Sequence, residues 1–213
     1  MNHCESTLMQ QLRDRTRPQH EALHEVVDMD WMTASPANYA RSLTAYLVAV
    51  SMTESLSIVR QLDVDLDAAS TAEPIDWSTR LVKTEWLRSD LDTLCDAGVI
   101  DASSRAGTGE RWRDLRSPPA IEDLSSWIGV NYVTEGMTLG GRGIAPIIDE
   151  RLGDGFGSER PIGTSFFASY GDQTGRMWNQ FKTWADHCEV DPAAACHSAA
   201  DTFDWFRECL ARK

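Results

Sequence analysis

The feature that most constrains the fold is a long stretch of apolar residues with helical spacing, beginning after residue 36. Apolar side chains recur there at intervals of three and four, which places them on one face of an α-helix. Ser35 and Pro36 just before them are typical of an N-cap and a first helical residue. The pattern predicts an amphipathic helix from residue 36 to about residue 62. Its apolar positions are Tyr39, Leu43, Tyr46, Leu47 and Val50.

The same spacing predicts helices along most of the chain. The other predicted helical segments are residues 6–14, 22–27, 80–95, 121–133, 144–152, 164–188 and 192–210. No alternation typical of a β-strand and no internal repeat is present. A chain of 213 residues with 42% hydrophobic content can bury one sizeable core. We therefore expect an all-α fold of about seven or eight helices, in a single domain spanning residues 1–213.

The charge of the chain narrows the class of partner. Its formal net charge is −13, which argues against nucleic acid and against anionic membranes. No apolar run approaches the roughly 18 residues of a membrane span, and the polar N-terminus MNHCESTLMQQ has no signal-peptide core. Five cysteines without a CxxC pair indicate reduced thiols. We expect a cytoplasmic monomer.

One short segment, LRDRTRPQHEALHEVV, is unusually basic and rich in histidine. Arg13, Arg17, His20 and His24 are spaced four, three and four, so a helix would place them on one side. Two interpretations stay open. The face is simply solvated, or it binds a ligand that carries both carboxylates and a metal, as haem does.

Pro18 interrupts this basic segment. Within a helix it removes one backbone hydrogen bond and costs about 3 kcal/mol. We expect either a kink or a new helix that begins with Thr16 as N-cap.

A second unusual segment is YVTEGMTLGGRG, residues 132–143. Each glycine inside a helix costs roughly 0.5–1 kcal/mol relative to alanine. One interpretation is therefore a helix end followed by a turn, with a new helix from residue 144 that has Pro146 in its first turn. The alternative is a helix face cleared for a flat ligand. A phosphate-binding loop is disfavoured, because no strand precedes the glycines and no GKS or GKT follows.

Together the two segments resemble the haem oxygenase family, specifically its bacterial biliverdin-producing branch. The matching stretches are LRDRTRPQH and YVTEGMTLGG, with weaker matches in EWLRSDLDTL, FFASYGDQTGRMWNQF and AADTFDWFRECL. The resemblance extends in order over most of the chain. It implies a haem-oxygenase-like helical bundle that holds haem between a proximal and a distal helix.

The resemblance also implies roles for the basic segment. His20 falls on the proximal iron ligand of the family, and Arg13 and Arg17 fall on basic positions that face the haem propionates. Arg176 and Lys182 are further candidates for a propionate contact.

The distal helix matches the family at its glycines and departs from it at one position. Gly136, Gly140 and Gly141 fall on the family's glycine positions. Met137 stands where the family commonly has Asp or Ser, so we expect its polar role to pass to Thr138, to Arg142, or to the backbone and ordered water.

Aromatic residues in the last third are candidates for the haem edge. Tyr170 is predicted to contact it, and Phe166 and Phe167 are predicted to lie in the core or beside it.

The activity implied by the resemblance is oxidation of haem at a meso carbon to biliverdin, carbon monoxide and ferrous iron. It consumes dioxygen and electrons from a separate protein donor of ferredoxin or flavin-reductase type. A non-catalytic haem carrier or sensor is the main alternative, and Met137 favours it. A di-iron enzyme is suggested by Glu21-x-x-His24 but lacks a second such pair.

Overall fold

A computed structural model describes residues 6–61, 63–101, 110–153 and 163–212. Within these ranges there are eight α-helices and no β-strand, so the expected all-α fold is confirmed. The helices are α1 (Leu8–Val26), α2 (Met29–Met32), α3 (Pro36–Gln61), α4 (Lys83–Asp96), α5 (Leu124–Leu152), α6 (Ser165–Ala168), α7 (Thr174–Asp186) and α8 (Pro192–Ala211). Residues 102–109 and 154–162, which fall between predicted helical segments, lie outside the described residues.

Helix α5 is the centre of the bundle. It packs along α8, and α8 packs in turn against α1, while α3 lies against α4 and α8. At the α5–α8 contact a β-carbon on Gly129 would lie 2.3 Å from the carbonyl oxygen of Ala195. Only glycine permits this approach, because the backbone of α8 occupies the space that a side chain would need.

Helix α3 begins as expected and extends to Gln61, the last residue described before the gap at residue 62. The hydroxyl of Ser35 accepts a hydrogen bond from the backbone N–H of Asn38 (3.1 Å), and Pro36 is the first helical residue. An 18-residue window of α3 has a mean hydropathy of 1.4, which meets the length and composition of a membrane span. An uninterrupted apolar run of that length is not present in α3, since Ser and Thr residues are scattered along it, so the window meets the criterion only through its average. Burial of 56% of that window inside the protein is typical of a core helix.

Helix α1 is one continuous helix with Pro18 inside it. It begins after Thr7, whose hydroxyl accepts from the N–H of Gln10. The new helix start expected at Thr16 is wrong, since that hydroxyl instead donates to the carbonyl of Leu12 (2.7 Å) within the helix. Burial of apolar side chains against the core outweighs the one bond lost at the proline.

Helix α5 is also continuous, through all four glycines of the 132–143 segment and through Pro146. The two separate helices expected here, with a turn between them, are wrong. Each glycine lowers the helix propensity only at its own position. Close packing of neighbouring segments against the glycine backbone outweighs that cost. At Gly141 the backbone of Phe167 lies against the helix.

The single helix expected over residues 164–188 is wrong as well, because the chain breaks between α6 and α7. Ser169 has φ 56° and Gly171 has φ 56°, a region that does not continue a helix. The Asp90 carboxylate on α4 accepts hydrogen bonds from the N–H groups of Ser165 and Phe166, both 2.9 Å long. These bonds fix the start of α6 on α4.

Candidate functional site

A cavity of about 550 Å³ lies between α1 and α5. Its volume falls within the usual range for small-molecule sites. His20 and His24 contribute to its α1 side, and the stretch from Tyr132 to Ile147 supplies much of its α5 side. The other helices close it with mainly apolar side chains. The two unusual segments of the sequence therefore both line one cavity.

The two histidines of α1 contact each other at this wall. Their ring centroids are 4.5 Å apart, their Nε2 atoms are 3.3 Å apart, and the His20 ring also meets Phe203 edge-on at 5.7 Å. Partial burial, and then the neighbouring His24, lower the pKa of His20 below its ordinary value. His20 is therefore a neutral imidazole at pH 7, the form that ligates a metal.

Arg13 and Arg17 lie on the exposed side of α1 and are not among the residues of the cavity wall. Arg13 Nε bonds Asp14 at 3.0 Å, and Arg17 Nε bonds Glu21 at 2.8 Å. The structure thus brings His20 and the glycines together at the cavity and leaves the two arginines outside it.

The glycines of α5 have different surroundings. A β-carbon on Gly140 or Gly143 would meet nothing within 4 Å, and one on Gly136 would touch the ring of Trp178 at 3.7 Å. A β-carbon on Gly141 would lie 2.7 Å from the carbonyl oxygen of Phe167. Gly140 therefore leaves space for a ligand, whereas Gly141 makes room for the protein itself.

Met137 and Thr138 both line the cavity next to these glycines. The Thr138 hydroxyl is buried and donates to the carbonyl of Glu135 at 2.6 Å, one turn back in the same helix. The hydroxyl proton is therefore already engaged in a hydrogen bond within the helix and is not available to a ligand. Arg142 is exposed and is not part of the wall.

Tyr46 of α3 supplies a polar group that the sequence did not single out for the site. Its ring is buried against Phe166 and Phe167 and lines the cavity, and its hydroxyl has no hydrogen-bond partner in the described part of the chain. Burial raises the pKa of Tyr46. The hydroxyl therefore keeps its proton and is available as a donor.

A buried ionic cluster adjoins the cavity through Lys83, which is a wall residue. Glu135 binds Arg80 with one carboxylate oxygen, and with the other it binds the ammonium of Lys83 (2.8 Å) and the hydroxyl of Tyr170 (2.9 Å). Burial lowers the pKa of Lys83, but Glu135 and Tyr170 outweigh it, so that this pKa is raised overall. Glu135 is thus shared by two buried cations beside the cavity.

Glu54 of α3 positions this cluster. Its two carboxylate oxygens accept from the backbone N–H groups of Lys83 (2.8 Å) and Thr84 (2.9 Å) at the start of α4. In most contacts within the cluster, the two residues are 52 to 90 positions apart in the sequence. No local sequence pattern could have indicated it.

Tyr170 itself lies behind the wall and is not among the lining residues. Its ring meets Trp86 edge-on at 5.2 Å, and burial raises its pKa to about 12. Arg176 bonds Gln173, and neither Arg176 nor Lys182 reaches the wall. The described residues contain no group of three or more His, Cys, Asp or Glu side chains suited to a metal ion, which gives the di-iron interpretation no support.

Comparison with known proteins agrees with this architecture. A protein-family model described as "Heme oxygenase" matches residues 6–212. No curated protein gives a significant match. Among solved structures, haem oxygenase from Leptospira interrogans superposes with a TM-score of 0.69 at 15% sequence identity, covering 98% of this chain and 100% of that one. The likeness to that structure shows a shared fold, and because the family model spans nearly the whole sequence, the chain belongs to the haem oxygenase family.

Proposed function

We propose that the protein cleaves haem at a meso carbon to biliverdin, carbon monoxide and ferrous iron, as a member of the bacterial biliverdin-producing branch. Dioxygen is consumed, with electrons from a separate ferredoxin- or flavin-reductase-type donor. The observation that carries the proposal is that His20 on α1 and the unobstructed backbone at Gly140 on α5 line the same cavity of about 550 Å³.

The residues present fit haem. A neutral imidazole reaches the cavity from one side, the glycine backbone leaves room on the other, and most of the remaining wall is apolar. When bound, haem supplies both the iron that activates dioxygen and the carbon that is oxidised. The protein supplies position and hydrogen bonds.

On the α1 side, His20 binds the iron through Nε2. Arg17 lies one turn earlier, about 4.5 Å along the helix axis, and Arg13 one turn before that. We propose that both guanidinium groups hold the haem carboxylates at the cavity mouth. Their present bonds to Asp14 and Glu21 are exposed, and exposed ion pairs are easily exchanged for another carboxylate.

On the α5 side, Gly140 leaves room for the macrocycle to approach the backbone, and Gly136 and Gly141 belong to the same stretch of wall. Met137 offers no hydrogen bond, and we assign the donor role on this side to the unpartnered hydroxyl of Tyr46. The Thr138 oxygen keeps acceptor capacity for an ordered water. Tyr170 acts from behind the wall, through Lys83 and Glu135.

A second candidate function is a haem carrier or sensor without turnover. The observation that favours it is that Met137 replaces a polar residue while the Thr138 proton is bound within its own helix. In either case we propose a cytoplasmic monomer, which accords with the acidic composition and with free cysteines in the described part of the chain.

The test is to mix the protein with hemin, add ascorbate or a ferredoxin–reductase pair under air, and follow the visible spectrum. The oxygenase requires a Soret band that forms and then decays as the broad red absorption of biliverdin appears. His20→Ala should lose the ligand, whereas His197→Ala, at an exposed site on α8, should behave as wild type. A Soret band that persists indicates the carrier, and absence of any Soret band contradicts both candidates.

A further inference from the structure

We propose that His20 and His24 form a two-imidazole site for a divalent transition-metal ion, such as Zn²⁺, in the haem-free protein. We further propose that this ion competes with haem for His20. The competition rests on the proposed function, whereas the metal site does not.

The sequence places both imidazoles on one helix face. Residues 20–24 read HEALH, so the histidines are four positions apart, and both lie within the continuous helix α1. Two histidines at this spacing on a helix are the arrangement that holds zinc in H-E-x-x-H peptidases. The helix thus fixes the two Cα positions before any ion arrives.

The separation of the two nitrogens fits a single ion. The Nε2 atoms of His20 and His24 are 3.3 Å apart. Two imidazole nitrogens at 2.0–2.1 Å from one tetrahedral zinc ion lie about 3.3–3.4 Å apart. Both side chains are exposed, so a small rotation of the rings aims both lone pairs at one point without moving the backbone.

The remaining coordination positions are open. No third His, Cys, Asp or Glu completes a cluster among the residues that the structure describes. In this structure the Glu21 carboxylate pairs with Arg17 at 2.8 Å and with neither imidazole. An ion held by two imidazoles and water is exchangeable, and imidazole ligands favour Zn²⁺, Cu²⁺ and Ni²⁺ over Mg²⁺ and Ca²⁺.

Competition follows from the shared atom. Nε2 of His20 is the only nitrogen through which this residue reaches both His24 and, by the proposed function, the haem iron. One lone pair cannot serve two metals. By thermodynamic reciprocity, each occupant must weaken the apparent affinity of the other by the same factor.

The first experiment titrates the haem-free full chain with Zn²⁺ alone by calorimetry. Wild type and the exposed control His197→Ala should bind one ion with equal affinity. Loss of a residue that only orients a metal ligand already lowers metal affinity 10–100-fold. Because His24 is itself a proposed ligand, His24→Ala should weaken zinc binding by at least about tenfold. Equal affinity of wild type and His24→Ala would overturn the site.

The second experiment titrates hemin with and without saturating Zn²⁺. Zinc should weaken hemin binding in wild type and should have no effect in His24→Ala. If zinc binds at the pair but leaves the wild-type hemin titration unchanged, the competition is refuted. If no variant binds hemin, the proposed function fails and the competition with it, while the calorimetry still decides the metal site.

Discussion

The carbonyl oxygen of Phe167 lies so close to Gly141 that a β-carbon on the glycine would stand 2.7 Å from it. The neighbouring Ser169 hydroxyl would be 3.1 Å away. Asp90 holds the start of this α6 segment through two backbone hydrogen bonds, so the segment cannot easily move aside. The contact therefore joins α5, α6 and α4 at the back of the cavity.

We expect Gly141→Ala to destabilise the haem-free protein by about 1–3 kcal/mol, the usual cost of overpacking. The matched variant is Gly140→Ala, one residue earlier in α5, where a β-carbon meets nothing within 4 Å. It should raise stability slightly, by up to about 1 kcal/mol, because alanine favours the helix. Urea denaturation of both variants checks this. Equal effects would show that helix propensity, rather than the Phe167 contact, governs both positions.

A larger substitution at position 140 tests whether the ligand occupies the cavity. Gly140→Leu should fill space that the ligand needs, and so weaken hemin binding severely while the haem-free protein stays folded. Gly175→Leu on α7 is the control, because its glycine likewise has no neighbour within 4 Å but does not line the cavity. Spectrophotometric hemin titration separates them. Unchanged hemin affinity in Gly140→Leu would place the ligand elsewhere.

The buried cluster should be sensitive to loss of its one carboxylate. Glu135→Gln leaves Arg80 and Lys83 buried without a counter-charge, and breaking such a group typically costs about 3–5 kcal/mol. Asp30→Asn, which removes the exposed pair with Arg151, should cost less than about 1 kcal/mol. Thermal and urea denaturation measure both. A loss in Glu135→Gln no greater than that in Asp30→Asn would contradict this view of the cluster.

Two buried tyrosines differ in their hydroxyl partners. Tyr39 donates to the carbonyl of Gly163 at 2.8 Å, so Tyr39→Phe should cost about 1 kcal/mol. Tyr46→Phe has no protein hydrogen bond to remove and should change stability little. Any loss of haem turnover in Tyr46→Phe then arises from contact with the ligand or its water. A large loss of stability in Tyr46→Phe would assign the hydroxyl a structural role.

The structural features that the sequence predicted well are those indicated by several neighbouring residues at once. Helix α3 combines a Ser-Pro start with five apolar residues on one face, and the structure reproduces it almost to the residue. Both unusual segments contribute residues to the cavity wall, although Arg13 and Arg17 of the first segment lie outside it. A prediction of this kind agrees with the structure because each residue in the segment favours the same structure as its neighbours.

What the sequence did not predict depends on contacts between distant segments. Glycines and Pro146 suggested a break in α5, but packing against Phe167 and against α8 outweighs the propensity of single residues. Arg80, Lys83 and Glu135 each look like solvated charges until the fold brings them together. The break at Ser169 follows a segment whose start is held by Asp90, 75 positions earlier in the sequence.

Two aspartates should respond to pH with opposite sign. Burial raises the pKa of Asp90, so the folded state takes up its proton more readily than the unfolded state does. As pH falls from 7 toward the ordinary value of 3.8, wild type should gain stability relative to Asp90→Asn. The N-cap Asp123 is the reverse case, because the backbone N–H of Ser126 lowers its pKa.

Wild type should therefore lose stability relative to Asp123→Asn as pH falls below 3.8 and through the folded pKa of Asp123. Urea denaturation of the three proteins between pH 3 and 7 gives both differences from one data set. Because Asn cannot ionise, each difference isolates the titration of one carboxyl group. A wild-type advantage over Asp90→Asn that shrinks as pH falls would mean that the hydrogen bonds from Ser165 and Phe166 outweigh burial at that site.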